Sequence, residues 1–174
     1  MKNFPLLIIC LLMLTNSFCQ ETTLKIPEGW RTPNKYDIKD DWEVFQKDDY
    51  IPYHFTNDFD QNGLKDEAWI LIKNDNTSFG VWILLKTIDS QFNYLITEVK
   101  ISSVKPQYIG ISETEKGTFQ TACGKGYFDC EPGDPSQVVV TSPQLWYSPF
   151  ESGPGYLIMW NKSEMTFRSY QMTD

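Results

Sequence analysis

The sequence is poor in histidine and in basic residues. One histidine, His54, occurs in 174 residues, which excludes any site that needs two imidazoles, such as a His-rich zinc centre. The 15 Lys and Arg residues are outnumbered by 23 Asp and Glu residues, and the formal net charge is -8. Because proteins that bind nucleic acids concentrate positive charge on their surface, we expect no nucleic-acid partner.

Long apolar runs and internal repeats are also missing from the chain beyond its first twenty residues. No stretch there reaches 18 consecutive apolar residues, so we expect no transmembrane segment in the mature protein. No repeat of 20–50 residues is present, which excludes a self-contained propeller or solenoid. Aromatic residues, at 15%, are by contrast plentiful, and they argue against a disordered chain.

Residues 1–19 have the pattern of a secretory signal peptide. A positive n-region precedes an apolar stretch at residues 4–14, and Ser17 and Cys19 occupy the small-residue positions of a cleavage site before Gln20. We therefore expect a secreted or periplasmic protein. The alternative is a lipoprotein acylated at Cys19, but the residues before that cysteine fit a lipobox poorly.

Two of the four cysteines remain after such processing, because Cys10 and Cys19 lie in the signal peptide. Cys123 and Cys130 stand in the segment CGKGYFDC, whose glycines let the chain turn back. An oxidising compartment favours a disulfide between them. The alternative is a redox or metal pair, although redox pairs usually have the spacing CxxC and a zinc site needs more ligands.

Short runs of aromatic and β-branched residues, separated by Gly and Pro, recur at roughly ten-residue spacing. The nine predicted strands are residues 67–73, 79–86, 92–101, 108–112, 118–123, 137–141, 144–148, 155–160 and 165–172. This pattern predicts a mainly β fold, an antiparallel sheet or sandwich of eight to nine short strands.

One short N-terminal helix is predicted over residues 40–49, where Asp40 or Asp41 can cap the first turn. We expect residues 20–174 to form a single β-rich domain. Within it, residues 20–38 are expected to be an extended arm whose apolar side chains dock on the main body.

The segment DFDQNGLKD, residues 58–66, follows the pattern D-x-D-x-N-G-x-x-D. Its oxygen-bearing side chains fall at loop positions 1, 3, 5 and 9, namely Asp58, Asp60, Asn62 and Asp66. Gly63 permits a sharp turn, and Leu64 can offer its backbone carbonyl. Calcium takes 6–8 oxygen ligands in flexible geometry, so the spacing predicts a structural Ca²⁺ site. The alternative is an Asx-rich turn whose carboxylates only cap backbone N–H groups.

The loop departs from the EF-hand at position 12, where Trp69 replaces the bidentate glutamate. Over DFDQNGLKDEAWIL it resembles the calcium loops that precede strands in FG-GAP/VCBS-type extracellular repeats. That resemblance implies as ligands Asp58, Asp60, Asn62, Asp66 and the carbonyl of Leu64. Because only one copy is present, it does not imply a propeller. With an N-terminal GW at residues 29–30, the DxDxNG loop and the CGKGY segment, the whole chain resembles small exported bacterial proteins of unknown function, a resemblance that implies no activity.

Two classes of function remain open. The segment between the cysteines carries Lys125, Tyr127 and Phe128, and a rigid aromatic loop is a good recognition element because it loses little entropy on binding. The alternative is that both aromatic side chains pack beneath the loop. His54 could be a general base, but no GxSxG, HExxH or nucleophilic cysteine accompanies it. A surface or packing role is therefore favoured for His54.

We therefore expect an exported, non-catalytic binding or inhibitory module, a class that includes envelope immunity proteins. Its expected partner is a protein or glycan in the envelope or outside the cell. The alternative is a small extracellular hydrolase directed at glycans, in which calcium is a structural ion. Carboxylate pairs of the kind that hydrolyse glycosidic bonds cannot be recognised from sequence, because their separation in space decides the chemistry.

Overall fold

A computed structural model describes residues 24–47 and 50–174. The predicted signal peptide, its cleavage site before Gln20 and the first residues of the predicted arm lie outside these ranges. Within them the chain is mainly β, with eleven short strands, one α-helix and one turn of 3₁₀-helix. Every strand pair is antiparallel, which confirms the predicted fold class.

The nine predicted strands all form, and two short ones precede them. The strands are β1 (Trp30–Arg31), β2 (His54–Asn57), β3 (Asp66–Lys73), β4 (Ser78–Lys86), β5 (Gln91–Lys100), β6 (Ile109–Thr114), β7 (Gly117–Gln120), β8 (Gln137–Val140), β9 (Gln144–Pro149), β10 (Tyr156–Asn161) and β11 (Thr166–Gln171). The helix α1 is Asp41–Gln46, and the 3₁₀ turn is Pro106–Tyr108.

The first sheet has the order β1-β3-β4-β5, with β2 also paired to β3. Its central strand β4 is buried on both faces, which explains why its sequence is apolar at nearly every position. On the outer face, Trp82 and Leu84 pack against Leu24, Ile26 and Trp30. The described part of the arm therefore docks on the first sheet, as its apolar residues predicted.

The second sheet has the order β11-β10-β9-β6 and packs face to face on the first. Side chains from the inner faces of both sheets form the main core: Ile70, Ile72, Phe79, Val81, Ile83, Leu85, Ile109, Ile111, Leu145, Tyr147 and Ile158. A two-stranded third sheet, β7-β8, covers the outer face of the second through Val138 and Val140. The result is a sandwich with an additional layer on each side.

The sequence of β5 alternates and predicts a regular strand with Leu95, Thr97 and Val99 on one face and Tyr94, Ile96, Glu98 and Lys100 on the other, and this prediction is wrong. The register with β4 shifts between Val81, which faces Thr97, and Trp82, which faces Leu95, so Ile96 is an extra residue in a β-bulge. Because of this bulge, Ile96 and Val99 both pack against the main core. A strand without a bulge would have placed them on opposite faces.

The helix α1 is shorter than predicted, and its role is to bury one aromatic side chain. Trp42 is fully buried, and its indole N–H donates to the carbonyl oxygen of Ile109 at 2.8 Å. Asp40 is the N-cap residue, but its side chain makes no capping hydrogen bond. Among the described residues, no helix is both long enough and apolar enough to pass through a membrane.

Candidate metal centre and recognition loop

Residues 58–66, hereafter the acidic loop, connect β2 to β3 and are folded by their own carboxylates. Asp58 accepts the backbone N–H groups of Asn62 and Gly63, both at 2.9 Å. Gln61 and Gly63 have φ values of 61° and 87°. This left-handed conformation is strained for most residues and unstrained for glycine, which confirms that Gly63 makes the turn possible.

Asp66, the first residue of β3, ties the acidic loop to the end of β4. Its Oδ2 accepts the N–H of Phe59 at 2.9 Å, and its Oδ1 accepts the N–H of Lys86 at 2.7 Å. The side chain is fully buried. Burial raises the pKa of Asp66 to about 7 in spite of these two hydrogen bonds, and the negative charges of Asp60 and Asp58 add to the rise.

The carboxylates of Asp58, Asp60 and Asp66 converge, with one oxygen atom of each within 4.8 Å of the other two. Burial raises the pKa of Asp60 as well, and the charge of Asp58 acts in the same direction. Three ionised carboxylates at these distances repel one another. The group therefore favours either a bound proton or a cation.

Asn62 and Leu64 lie in the same turn as the three acids, and their hydrogen bonds hold the turn in shape. The Nδ2 of Asn62 donates to Asp60 at 3.0 Å and to the carbonyl of Lys86 at 2.8 Å. Its Oδ1 accepts the N–H of Leu64 at 2.8 Å. The amide oxygen of Asn62 is thus engaged with the backbone, and it coordinates a cation only by sharing that oxygen with the N–H of Leu64.

The donor set of the acidic loop fits a hard cation. The three acids that converge offer oxygen alone, which is the ligand that Ca²⁺ prefers. Each carboxylate oxygen keeps a free lone pair after it accepts one backbone N–H. The same hydrogen bonds also agree with the alternative of a carboxylate-capped turn, since all three acids accept a backbone N–H.

Sequence reasoning missed Lys86, which the acidic loop uses through its backbone alone. The N–H of Lys86 binds Asp66, and its carbonyl accepts a hydrogen bond from Asn62. No side-chain signal could have revealed this role, because any residue at the end of β4 except proline offers the same two groups. The loop is thus held by the strand that follows β3 as well as by β3 itself.

The predicted disulfide between Cys123 and Cys130 is present. It lies within residues 121–136, the connection between β7 and β8, and it closes residues 123–130, hereafter the clamped loop. Gly124 is required there, because a Cβ atom at this position would lie 1.9 Å from the carbonyl oxygen of Ser136. The disulfide and this close approach hold the base of the clamped loop against the start of β8.

The clamped loop presents its aromatic residues to solvent. The exposed fractions of Tyr127 and Phe128 are 53% and 44%, so the alternative that both pack beneath the loop is wrong. Lys125 is anchored instead, since its Nζ donates to the carbonyl of Met172 at 2.7 Å. The three predicted recognition residues therefore divide into two exposed aromatic side chains and one cation that fastens the loop to the residue after β11.

His54 lies in β2 as a packing residue. Its ring stacks on Trp69, with the ring centroids 3.7 Å apart, and its Nε2 is 3.6 Å from a carboxylate oxygen of Glu67. Burial lowers the pKa of His54, although Glu67 acts against the shift. The imidazole is therefore neutral at physiological pH, and its stacked position favours packing over acid–base chemistry.

No protein-family model matches the chain, and neither the curated proteins nor the solved structures contain a significant match.

Proposed function

We propose that the protein is an exported, non-catalytic binding module that recognises its partner through the clamped loop. The single observation that carries this proposal is the exposure of Tyr127 and Phe128 on a loop fastened at several points. A loop fixed before binding loses little conformational entropy in the complex, and aromatic side chains are frequent hot spots of interfaces. The disulfide and the signal-peptide pattern of residues 1–19 support export.

The length of the connection between β7 and β8 supports a functional role for this region. Residues 121–136 contain no strand or helix. Loops longer than about 12–15 residues without secondary structure are uncommon in compact domains and are usually functional or disordered. Here the disulfide and the buried Thr121, whose hydroxyl donates to the carbonyl of Pro135 at 2.8 Å, give the connection a defined shape.

A non-catalytic role is supported by the places of the titratable groups with shifted pKa values. Asp66, whose pKa lies near neutrality, is fully buried, and both of its oxygens accept backbone N–H groups. A general acid must reach its substrate within hydrogen-bonding distance. Asp66 does not meet this condition, and His54 is stacked on Trp69, so both groups serve the interior of the fold.

We further propose that the acidic loop holds one structural Ca²⁺. The proposed ligands are Asp58, Asp60, Asn62, Asp66 and the carbonyl of Leu64, completed by water. The support is the convergence of three carboxylates within 4.8 Å, where a cation relieves their mutual repulsion. Because the same residues bond to β3 and to the end of β4, the ion would stiffen one end of the first sheet.

Affinity capture with matched variants tests the recognition role. The exported protein and its variants are incubated with envelope and culture-medium extracts of the source organism, and with an array of glycans. We expect one partner to be retained by wild type and lost in the double variant Tyr127→Ser, Phe128→Ser. The control is Tyr36→Ser, since Tyr36 is a tyrosine that is 76% exposed elsewhere on the surface. Equal retention by all three proteins would remove the clamped loop as the recognition surface.

Thermal unfolding with and without calcium tests the ion site. Weak extracellular sites have dissociation constants of about 10⁻⁴–10⁻³ M, so 10 mM Ca²⁺ should stabilise the fold by about 1.4–2.7 kcal/mol. For a chain of this size, that corresponds to an increase in Tm of about 3–10 °C over chelator. Asp60→Asn should abolish the increase, whereas Asp89→Asn, on the exposed loop between β4 and β5, should keep it. A wild-type Tm that is the same in calcium and in chelator contradicts the site.

A further inference from the structure

A groove separates the edges of the two main sheets, where β5 and β11 diverge. At one end Tyr94 closes the gap, since its hydroxyl donates to the carbonyl of Met165 at 3.2 Å and its ring packs against Phe167. Beyond this contact lies an open cavity of about 430 Å³. Its lining is mainly apolar and includes Ile96, Val99, Tyr147, Tyr156 and Ile158.

The connection between β7 and β8, which contains the clamped loop, extends this groove and makes its second half acidic. A cavity of about 470 Å³ adjoins the first, and the two share Tyr156 and Ser169 in their linings. The charged residues of its lining are Asp129, Glu131 and Asp134, and none of them forms an ion pair within the described chain. Among the residues that line either cavity there is no Lys or Arg.

An open strand edge lies where the two cavities meet. The backbone groups of alternate residues in an antiparallel strand point to opposite edges. The carbonyl of Gln171 points away from β10, because it accepts the N–H of Ala122 at 2.8 Å. The backbone groups of Ser169, two residues earlier in β11, therefore point to the same edge, and within the described chain they have no strand beside them.

We propose that this groove binds an extended polypeptide segment of the partner, which adds a short strand to the edge of β11 at Ser169. Alternate aliphatic side chains of the segment occupy the apolar cavity, and a following Lys or Arg lies beside Asp129, Glu131 and Asp134. The main-chain hydrogen bonds supply a fixed register, and the pockets for alternate side chains supply specificity. This inference rests on the proposed binding function, since the connection between β7 and β8, which contains the clamped loop, forms the acidic wall of the groove.

The charge of the lining selects a basic segment over an acidic one. Three uncompensated carboxylates attract Lys or Arg and repel Asp or Glu, and the attraction weakens as salt screens it. The bulge in β5 adds to the shape of the apolar half, because it places Ile96 and Thr97 next to each other in the lining. Both halves of the groove are thus specified by features of this chain.

A random twelve-residue peptide library displayed on phage tests the proposal. The exported protein is immobilised through its N-terminus, and bound phage are sequenced. We expect enriched peptides to carry aliphatic residues at alternate positions, followed by Lys or Arg. Ser169→Trp, which fills the groove, should weaken a consensus peptide at least about tenfold. Arg168→Trp, the neighbouring residue on the other face of β11, is the control and should leave the affinity unchanged.

Inversion of the acidic wall provides the second measurement. In the variant Asp129→Lys, Glu131→Lys, Asp134→Lys, the selected peptides should keep the aliphatic pattern and exchange their basic residues for acidic ones. The proposal is overturned if wild type enriches no peptide, or if the consensus peptide binds Ser169→Trp as tightly as wild type. It is also overturned if a glycan on the array binds wild type and no longer binds the triple lysine variant. None of these outcomes decides the recognition role of Tyr127 and Phe128, which the affinity-capture experiment tests separately.

Discussion

Asp66 should make the calcium-free protein less stable at alkaline pH, against the usual trend for carboxylates. Its pKa is raised from 3.8 to about 7 by burial, so the folded protein binds a proton more tightly than the unfolded chain does. The stability gained from this proton is present below about pH 4 and is lost as the pH rises through 7. Each pKa unit corresponds to about 1.4 kcal/mol, so the full loss is about 4 kcal/mol.

Between pH 5 and pH 8 the free energy of unfolding should fall by about 3 kcal/mol, since the carboxyl of Asp66 in the folded protein releases its proton mainly near pH 7. Urea unfolding, followed by tryptophan fluorescence in metal-free buffer, measures it as a midpoint that is lower by about 1 M or more at pH 8. Calcium at 10 mM should cancel most of the difference, because the ion binds the ionised form and replaces the proton.

The variant Asp66→Asn isolates this contribution from other groups. The pKa of His54 is lowered by burial, so its effect between the folded value and 6.5 has the opposite sign: stability increases with pH there. In Asp66→Asn that rise should remain while the fall disappears. Asparagine supplies a single acceptor oxygen for the two backbone N–H groups, so the variant is less stable overall, and only its pH dependence is compared. The same pH dependence in wild type and variant would refute the reasoning.

Three further substitutions test the packing. Replacement of both Cys123 and Cys130 by serine should lower the free energy of unfolding by about 2–3 kcal/mol in a urea titration, through the entropy of the unfolded chain; an unchanged midpoint would contradict this. Gly124→Ala should cost about 3 kcal/mol or more, because its Cβ meets the carbonyl oxygen of Ser136; a Tm equal to that of wild type would show that the connection is pliable. Trp42→Phe leaves a buried carbonyl of β6 without its donor and should cost about 1–3 kcal/mol in thermal unfolding, so a loss below the error of the measurement would argue against that hydrogen bond.

The strands could be predicted from sequence because local signals specify them. The hairpin of β3 and β4 has dense apolar runs on either side of a turn-forming cluster, and its register follows from that turn. The strand β2 could not be predicted in the same way. Its four residues, His54–Asn57, have no distinct pattern of their own. They form a strand only because they can pair with the open edge of β3.

The sheet order depends on contacts that are distant in sequence. The strand β6 pairs with β9 and not with β7, the next strand in sequence. The chain therefore leaves the second sheet after β6, forms the separate sheet β7-β8, and returns to the second sheet at β9. Local periodicity contains no information about such a pairing. The bulge at Ile96 is equally invisible, because the alternating sequence of β5 reads as a regular strand until the register with β4 is known.

The acidic loop shows where spacing ends and packing begins. The spacing of Asp58, Asp60 and Asp66 was sufficient to predict that their carboxylates converge around Gly63. It could not predict that Asp66 is fully buried or that the backbone of Lys86 holds it, since both depend on the strand pairing of β3 and β4. The raised pKa of Asp66 follows from that burial and could not be read from the motif.

The place of the clamped loop separates its proposed recognition role from the stability of the main core. The clamped loop belongs to the connection between β7 and β8. This third sheet packs its apolar side chains Val138 and Val140 on the outer face of the second sheet, away from the main core. Exposed side chains there touch neither the core nor the acidic loop, so substitutions of Tyr127 and Phe128 can change binding at little cost in folding free energy. In the proposed recognition role the disulfide gives a fixed shape to a connection outside the main core, so its removal should weaken binding in addition to lowering the free energy of unfolding.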